Sequence, residues 1–254
     1  MSKLPDVLWL NTSPSLQCFN QPLLRYLAGQ VTIGQWEYCQ SQDEASSLYL
    51  AVLLLHDYLK SCNQPMHLIG HSTGGLLGLL YARQYPERVK SLTLLAVGID
   101  VAVDWQAHYY AHLHHQILPY SRQGVLTNMV YNLFGYQEQH ILKNLVRILE
   151  QDLDCSLSPH SVLQRLTVSP GRVPVPLMVC GSKDDIIVEP DVLQGWRTCL
   201  KEGDRLWSCL EGRHFFHFFH PQQVGRMILK FWKSLQHSDS LCLSLSTLSK
   251  NFGP

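Results

Sequence analysis

A serine between two glycines carries the clearest chemical signal in this sequence. Residues 70–74 read Gly-His-Ser-Thr-Gly, so that Ser72 has a glycine two positions before it and another two positions after it. Such a serine can act as a nucleophile when a sharp turn exposes its hydroxyl, and the glycines let neighbouring backbone pack closely against the turn. The pattern indicates covalent catalysis, in which the serine oxygen attacks a carbonyl carbon.

The segments around Ser72 are those that this turn requires. The apolar run at residues 66–69 predicts a strand, and residues 74–85 predict a helix. A serine between them lies at the start of the helix, where free main-chain amides and the helix dipole favour negative charge. The amide of Thr73 is therefore expected to stabilise an oxyanion that forms beside Ser72.

Strands and helices alternate along most of the chain. The predicted strands are residues 7–11, 31–38, 66–69, 91–97, 177–180 and 205–210. Helices are predicted near residues 21–27, in a segment that ends at about residue 61, and at 74–85, 190–200 and 221–235. This order is typical of an α/β fold, with a mostly parallel central sheet flanked by helices. From about residue 100 to 170 successive helices predict an inserted helical cap. We expect one domain over residues 1–236, followed by a C-terminal tail at 237–254.

The glycine-flanked serine in its strand-turn-helix setting resembles the α/β-hydrolase superfamily, in its serine-nucleophile branch. The resemblance extends from the first predicted strand to the last predicted helix. It implies a serine hydrolase whose triad follows the chain order serine, acid, histidine, with the acid after a late strand and the histidine after the last one. No cofactor is implied. Haloalkane and epoxide chemistry would require an aspartate at position 72 and is disfavoured.

Asp184 takes the position of the acid in this resemblance. It follows the apolar residues 176–180 in the order Gly-Ser-Lys-Asp, which is similar to the acid loop of the family. The acid accepts a hydrogen bond from the histidine and fixes its tautomer. Asp185 is the neighbouring alternative, and Asp100 or Asp104 would be nominated if the acid followed the earlier strand, as in some members.

His214 takes the position of the base. It follows the last predicted strand in the order Gly-Arg-His, and Pro221 lies at the spacing that the family shows after the histidine. A proline is favourable in the first turn of the helix that begins there. His217 and His220 are the alternatives within the same segment, and His71 beside the nucleophile is expected to be structural.

The loop that should complete the oxyanion hole departs from the family pattern. Many members have His-Gly after the first of these strands, whereas this sequence reads Asn11-Thr12-Ser13-Pro14. Because the hole requires a main-chain N–H and not a particular side chain, Thr12 or Ser13 is expected to donate together with Thr73.

Three histidines of the cap raise the question of a metal site. His108, His112 and His115 would share one face of a helix. No carboxylate or cysteine lies obviously near them to complete a zinc site, and aromatic neighbours favour an amphipathic helix. We expect no metal.

Aromatic residues are expected to line the substrate pocket, because many lie in the cap and beside the base. Trp105 and Tyr109 represent the cap, and Phe215 adjoins the base. A pocket of this composition favours uncharged, hydrophobic groups. The expected substrate is a small, largely apolar ester or thioester.

Composition and charge exclude several classes of partner. The 254 residues are 46% hydrophobic and 16% charged, which suits one sizeable core. Twenty basic residues balance twenty acidic ones, so no global field attracts nucleic acid. The longest apolar stretch, residues 48–55, is far shorter than the roughly 20 residues of a membrane-spanning helix. Eight cysteines without a C-x-x-C pair, and no signal-peptide core, predict reduced thiols and a cytoplasmic protein.

Two other functions remain open from the sequence. The same triad would transfer the acyl group to an alcohol if the pocket excluded water. A ligand-binding or scaffold protein could also retain the fold without turnover. The altered residues 11–13 favour this alternative. The presence of the serine, acid and histidine motifs in the family's chain order opposes it. The oligomeric state does not follow from the sequence.

Overall fold

The central element is one parallel β-sheet. The computed structural model describes residues 5–39, 47–100, 104–115, 121–158, 160 and 168–250, except for the side chains of residues 114, 115 and 237–250. The strands are β1 (Val7–Asn11), β2 (Ile33–Glu37), β3 (Met66–His71), β4 (Val89–Leu95), β5 (Leu177–Ser182) and β6 (Arg205–Cys209). They lie in the order β2-β1-β3-β4-β5-β6, and every adjacent pair is parallel. The predicted α/β class is confirmed.

Helices connect the strands and cover both faces of the sheet. They are α1 (Gln17–Ala28), α2 (Leu48–Lys60), α3 (Thr73–Gln84), α4 (Trp105–His115), α5 (Arg122–Phe134), α6 (Gln139–Cys155), α7 (Pro190–Gln194), α8 (Phe216–Phe219) and α9 (Pro221–Lys250). Short 3-10 helices span Pro14–Leu16, Pro86–Arg88 and Gly195–Thr198. The backbone of α9 continues past the helix end predicted near residue 235 and into the segment expected to be a tail. None of the described helices is long and apolar enough to cross a membrane.

The core lies on both faces of the sheet because side chains alternate along each strand. In β1, Leu8 and Leu10 belong to the larger apolar cluster, which also contains residues of α2, α3 and the helices α4–α6. Val7 and Trp9 point the other way, into a second cluster with α1 and α9. A strand buried on both faces reads as a continuous apolar run, which is why the sequence predicted β1 so clearly.

The carboxyl ends of the parallel strands meet at one edge of the sheet, and the segments that follow them come together there. His71 at the end of β3 pairs with Leu95 at the end of β4. The loop after β1, the turn after β3 and the loops after β5 and β6 therefore share this edge, which carries the residues predicted to be functional.

Helices α4, α5 and α6 follow one another between β4 and β5, as predicted for the cap. Residues 101–103, 116–120, 159 and 161–167 of that segment lie outside the described residues. The end of α6 approaches the sheet, since the amide of Leu157 donates a hydrogen bond to the carbonyl of Thr12 at 3.2 Å. The cap thereby contacts the loop after β1.

Candidate active site

Ser72 occupies a strained turn between β3 and α3. Its backbone has φ 50° and ψ −124°, in the left-handed region that non-glycine residues avoid. A Cβ on Gly70 would lie 2.5 Å from the carbonyl of Gly74, and one on Gly74 would lie 2.4 Å from the carbonyl oxygen of Leu10. Glycine is required at both positions because backbone packs directly against them. The sharp turn predicted around Ser72, between a strand and a helix, is present in the structure.

The surroundings of Ser72 hold its main chain and leave its hydroxyl without a partner. The Ser72 amide donates to the carbonyl of Leu95 at 2.9 Å, and its carbonyl accepts from the amide of Leu76 at 3.0 Å, in the first turn of α3. Its Oγ is buried and has no hydrogen-bond partner in the described part of the chain. A buried hydroxyl without a partner is available to a reacting group.

His214 pairs with Asp185. Its Nδ1–H donates to Oδ2 of Asp185 at 3.1 Å, and both side chains are fully buried. Oδ1 of Asp185 accepts from the amides of Ile187 at 2.8 Å and Val188 at 3.1 Å, which holds the carboxylate in place. This bonding leaves Nε2 of His214 unprotonated in the neutral ring, and among the described residues Nε2 has no hydrogen-bond partner.

The prediction that Asp184 orients the histidine is wrong. The Asp184 carboxylate faces the loop before His214: its oxygens accept from the amides of Arg213 at 2.8 Å and Gly212 at 3.4 Å, and from Oγ of Ser182 at 2.6 Å. Burial alone would raise the pKa of Asp184, but these hydrogen bonds lower it below its ordinary value. Asp184 therefore holds the main chain of the loop before His214, and Asp185 contacts the ring of His214.

Two further imidazoles pack around His214 without a carboxylate. The Nε2–H of His71 donates to the main-chain oxygen of His214 at 2.9 Å, and that of His217 donates to Oδ1 of Asn20 at 3.0 Å. Burial, then the charges of His217 and His214, lower the pKa of His71 well below its ordinary value. Burial, then the charge of His214, lowers the pKa of His217 to about 3. Both rings are neutral, and His217 does not occupy the position of the base.

The amides of Thr12 and Ser13, in the loop after β1, differ in their hydrogen bonding. The amide of Ser13 donates to Oδ1 of Asn11 at 3.2 Å, and Nδ2 of Asn11 donates to Glu37 at 2.9 Å. The amides of Thr12 and Thr73 have no acceptor within the described ranges. Of the two donors that the sequence proposed for this loop, the structure leaves Thr12 available and engages Ser13.

Asp104 ties the cap to the elbow. Its Oδ2 accepts from the hydroxyl of Thr73 at 2.9 Å, and its Oδ1 accepts from the amide of Ala107 at 2.7 Å in the first turn of α4. Asp104 is 5% exposed. It therefore holds Thr73 and the start of α4 together. A catalytic acid after the earlier strand would contact His214, and Asp104 has no hydrogen bond to it among the described residues.

Sequence reasoning missed a buried carboxylate in α6, Asp152. It accepts from Nε1 of Trp105 at 3.2 Å, from Nε2 of Gln106 at 3.3 Å and from Oγ of Ser156. Burial raises its pKa to about 6, although these donors and the Ser13 hydroxyl oppose the rise. The only sequence signal was an acidic residue on the apolar face of a helix, with Leu145 and Leu149 buried on the same side.

A small cavity lies against the elbow. It is lined by Trp9, Leu10, Asn11, Thr12, Ser13, Leu16, Asn20, His71, Ser72, Thr73, Trp105, Gln106 and Phe215. Its volume of about 20 Å³ holds one water-sized group. Trp105 and Phe215, which the sequence predicted for the substrate pocket, line this cavity. Tyr109 does not: it packs inside the cap, with its ring 6.4 Å from that of Trp105.

The cap histidines serve in hydrogen bonds to main chain. The Nε2–H of His108 donates to the carbonyl of Ile187 at 3.2 Å, and the Nδ1–H of His112 donates to the carbonyl of His108 at 2.9 Å. The side chain of His115 lies outside the described residues. Across the part of the chain that the structure describes, no three potential ligands form a metal site.

Comparison with known proteins supplies relatives of this chain. The sequence profile of the α/β hydrolase fold matches residues 60–156, which include the elbow. An uncharacterised protein from Nostoc sp. is 47% identical over 237 residues, covering 93% of this chain and 94% of the relative.

Solved structures share the fold at low sequence identity. Naproxen esterase, a carboxylesterase from Bacillus subtilis, superposes with a TM-score of 0.64 at 14% identity, over 91% of this chain and 85% of the esterase. A lipase-esterase related protein from Clostridium acetobutylicum gives a TM-score of 0.63 at 14% identity, over 89% of this chain and 93% of that protein.

Proposed function

Since this chain belongs to the α/β-hydrolase superfamily, we propose that it is a serine hydrolase with Ser72, His214 and Asp185 as its catalytic triad. The observation that carries the proposal is the buried hydrogen bond from His214 to Asp185, at the sheet edge where the strained turn holds Ser72. A carboxylate on Nδ1 fixes the tautomer in which Nε2 can accept a proton. A histidine that is held by a buried carboxylate and has its other ring nitrogen free of protein partners is suited to act as a general base.

The proposed reaction begins with proton transfer from Ser72 to Nε2 of His214. Both atoms are buried and without a partner among the described residues, and catalytic hydrogen bonds often shorten only when substrate binds. The serine oxygen attacks the carbonyl carbon, and the resulting oxyanion accepts from the free amides of Thr73 and Thr12. The imidazolium then donates its proton to the departing alcohol or thiol. Water hydrolyses the acyl-enzyme with His214 again as the base.

We propose an uncharged ester or thioester as the substrate. Trp9, Leu16, Trp105 and Phe215 supply the apolar part of a lining whose other side chains are mostly uncharged polar groups, and such a lining favours uncharged substrates. The carboxylates of the cap, Asp104 and Asp152 among them, would repel an anionic substrate because they lie in a buried environment of low dielectric constant.

Labelling with a fluorophosphonate tests the proposed nucleophile, since this reagent forms a covalent bond to an activated serine. We expect the wild-type protein to be labelled promptly and Ser72→Ala not to be labelled. Ser61→Ala is the matched control: Ser61 is an exposed serine after α2 that bonds to the carbonyl of Tyr58, and this variant should label like wild type.

A folded wild-type protein that resists the reagent would contradict the hydrolase proposal and favour the scaffold alternative. Labelling that persists in Ser72→Ala would place the nucleophile elsewhere. Circular dichroism of each variant separates these outcomes from loss of folding.

A further inference from the structure

Gln106 lies in the first turn of α4 and borders the cavity beside Ser72. Its side chain is among the most buried polar groups of the protein, with 2% exposure. Its Oε1 has no hydrogen-bond partner in the described part of the chain. A buried acceptor without a donor is unfavourable, and native proteins rarely retain one unless a ligand or water satisfies it.

The orientation of the Gln106 amide follows from its neighbours. Nε2 lies 3.3 Å from Oδ2 of Asp152 and 3.5 Å from the main-chain oxygen of Asp152. The same Oδ2 accepts from Nε1 of Trp105 at 3.2 Å, so it acts as an acceptor here. Rotating the amide by half a turn would place Oε1 against two acceptors. The NH₂ group therefore belongs on Asp152, and the oxygen is left without a protein donor.

The cavity limits the size and the charge of a group that binds beside Gln106. About 20 Å³ accommodates one water-sized group, such as a hydroxyl. The apolar side chains of Leu16, Trp105 and Phe215 on the same cavity disfavour a charged donor. A hydroxyl fits because it is small, uncharged and able to donate a hydrogen bond.

We propose that Gln106 determines substrate specificity by accepting a hydrogen bond from a hydroxyl group that the ester carries near its scissile carbonyl. The proposal rests on the proposed function, since the hydroxyl binds in the cavity that Ser72 borders. Asp152 is the positioning residue, because it holds the amide with its oxygen free. The substrate class is accordingly a hydroxylated ester instead of a purely aliphatic one.

Matched pairs of esters test the proposal. Methyl 2-hydroxybutanoate and methyl 3-hydroxybutanoate are compared with methyl butanoate, and 2-hydroxyethyl butanoate with ethyl butanoate, with kcat/KM measured from acid release at constant pH. We expect wild type to prefer at least one hydroxylated ester by about tenfold or more, the typical effect of leaving a buried polar group unpaired. Gln106→Met keeps the length of the side chain and removes the acceptor, and it should reduce that preference to within about twofold.

Gln137→Met is the matched control. Gln137 also lies in the cap and bonds to the carbonyl of Phe134 at 2.9 Å, but it does not line the cavity. This variant should retain the wild-type preference. Equal kcat/KM for every pair in wild type, or a preference that Gln106→Met leaves unchanged, would overturn the proposal.

Equilibrium binding separates this inference from the proposed function. In Ser72→Ala, calorimetry should show tighter binding of the preferred hydroxylated ester than of its counterpart, and adding Gln106→Met should remove the difference. A protein that neither hydrolyses esters nor reacts with fluorophosphonate would refute the hydrolase proposal. The binding comparison would still decide the role of Gln106, because equal affinities would refute it.

Discussion

Adjacent aspartates perform different tasks at this site. Asp185 contacts the ring of His214, whereas Asp184 accepts from the amides of the loop that carries the ring. Asp184 holds Arg213 at φ 50°, a strained backbone angle immediately before the histidine. His214 is thus positioned by two carboxylates: Asp185 holds its ring, and Asp184 holds the main chain just before it.

Replacing each aspartate by asparagine should distinguish these tasks. Asp185→Asn is expected to lower kcat on p-nitrophenyl butyrate by about a thousandfold or more, because an amide at Nδ1 stabilises the wrong tautomer. Asp184→Asn should lower kcat less than about tenfold, since an amide oxygen in the place of Oδ1 can still accept from both Arg213 and Ser182. Initial rates, with thermal unfolding as the folding control, measure both.

Equal losses in the two variants, or the larger loss in Asp184→Asn, would contradict the assignment of Asp185. The pH profile gives a second readout. We expect the shape of the plot of kcat against pH to change in Asp185→Asn and to stay as in wild type in Asp184→Asn, because Asp185 is the carboxylate that contacts the ring of His214.

At the scale of elements, the cap completes the loop after β1. The end of α6 donates from Leu157 to the carbonyl of Thr12, and Asn11 accepts from the amide of Ser13. The peptide that joins Thr12 to Ser13 is therefore held at both its carbonyl and its N–H. We propose that this fixation holds the Thr12 amide in place for the proposed oxyanion hole, although the His-Gly pair is missing.

Asn11→Leu should release this loop and lower kcat. We expect a loss of about tenfold to a hundredfold, toward the effect of removing one oxyanion-hole donor, with a smaller change in KM. Gln17→Leu is the control, because Gln17 follows the same loop and its side chain bonds to Gln35 at the surface. Kinetics on p-nitrophenyl butyrate compare the two, and an Asn11→Leu enzyme as active as the control would refute the role of the clamp.

At the scale of the molecule, buried neutral histidines should make the fold sensitive to acid. His67 bonds to Oγ of Ser91 at 2.6 Å, and burial lowers its pKa from 6.5 to about 4. The unfolded chain takes up a proton below pH 6.5, while the folded protein does so only near pH 4. Stability present above pH 6.5 is therefore lost as the pH falls toward 4. The raised pKa of Asp152 acts in the opposite direction.

His67→Gln should flatten this pH dependence. Between about pH 7 and pH 5, wild type should lose about 2 kcal/mol more unfolding free energy than the variant, at about 1.4 kcal/mol per pH unit below 6.5. The contribution of Asp152 cancels, since both proteins retain it. Urea titrations at the two pH values measure the difference. His140→Gln is the control, because the side chain of His140 is 73% exposed, and parallel curves for His67→Gln and wild type would refute the prediction.

The sequence by itself determined the fold class, all six strands and the turn that holds Ser72. These features are local: the apolar runs at residues 7–11 and 177–180 are long enough for strands and too short for helices, and the spacing of Gly70 and Gly74 reports how closely backbone approaches the serine. Parallel strands then bring their carboxyl ends to one edge, so the neighbourhood of Ser72 and His214 also followed from the order of elements.

Only the tertiary structure decided which side chains meet there. The choice of Asp185 over Asp184 depends on which carboxylate the loop turns toward His214. The two residues are of the same type, and their spacings to every motif differ by only one position. Asp152 lies 46 residues from Gln106 along the chain, and no local pattern relates them. Hydrogen bonds between distant segments depend on the packing of the cap against the sheet, which is set by the whole core and not by any single stretch of sequence.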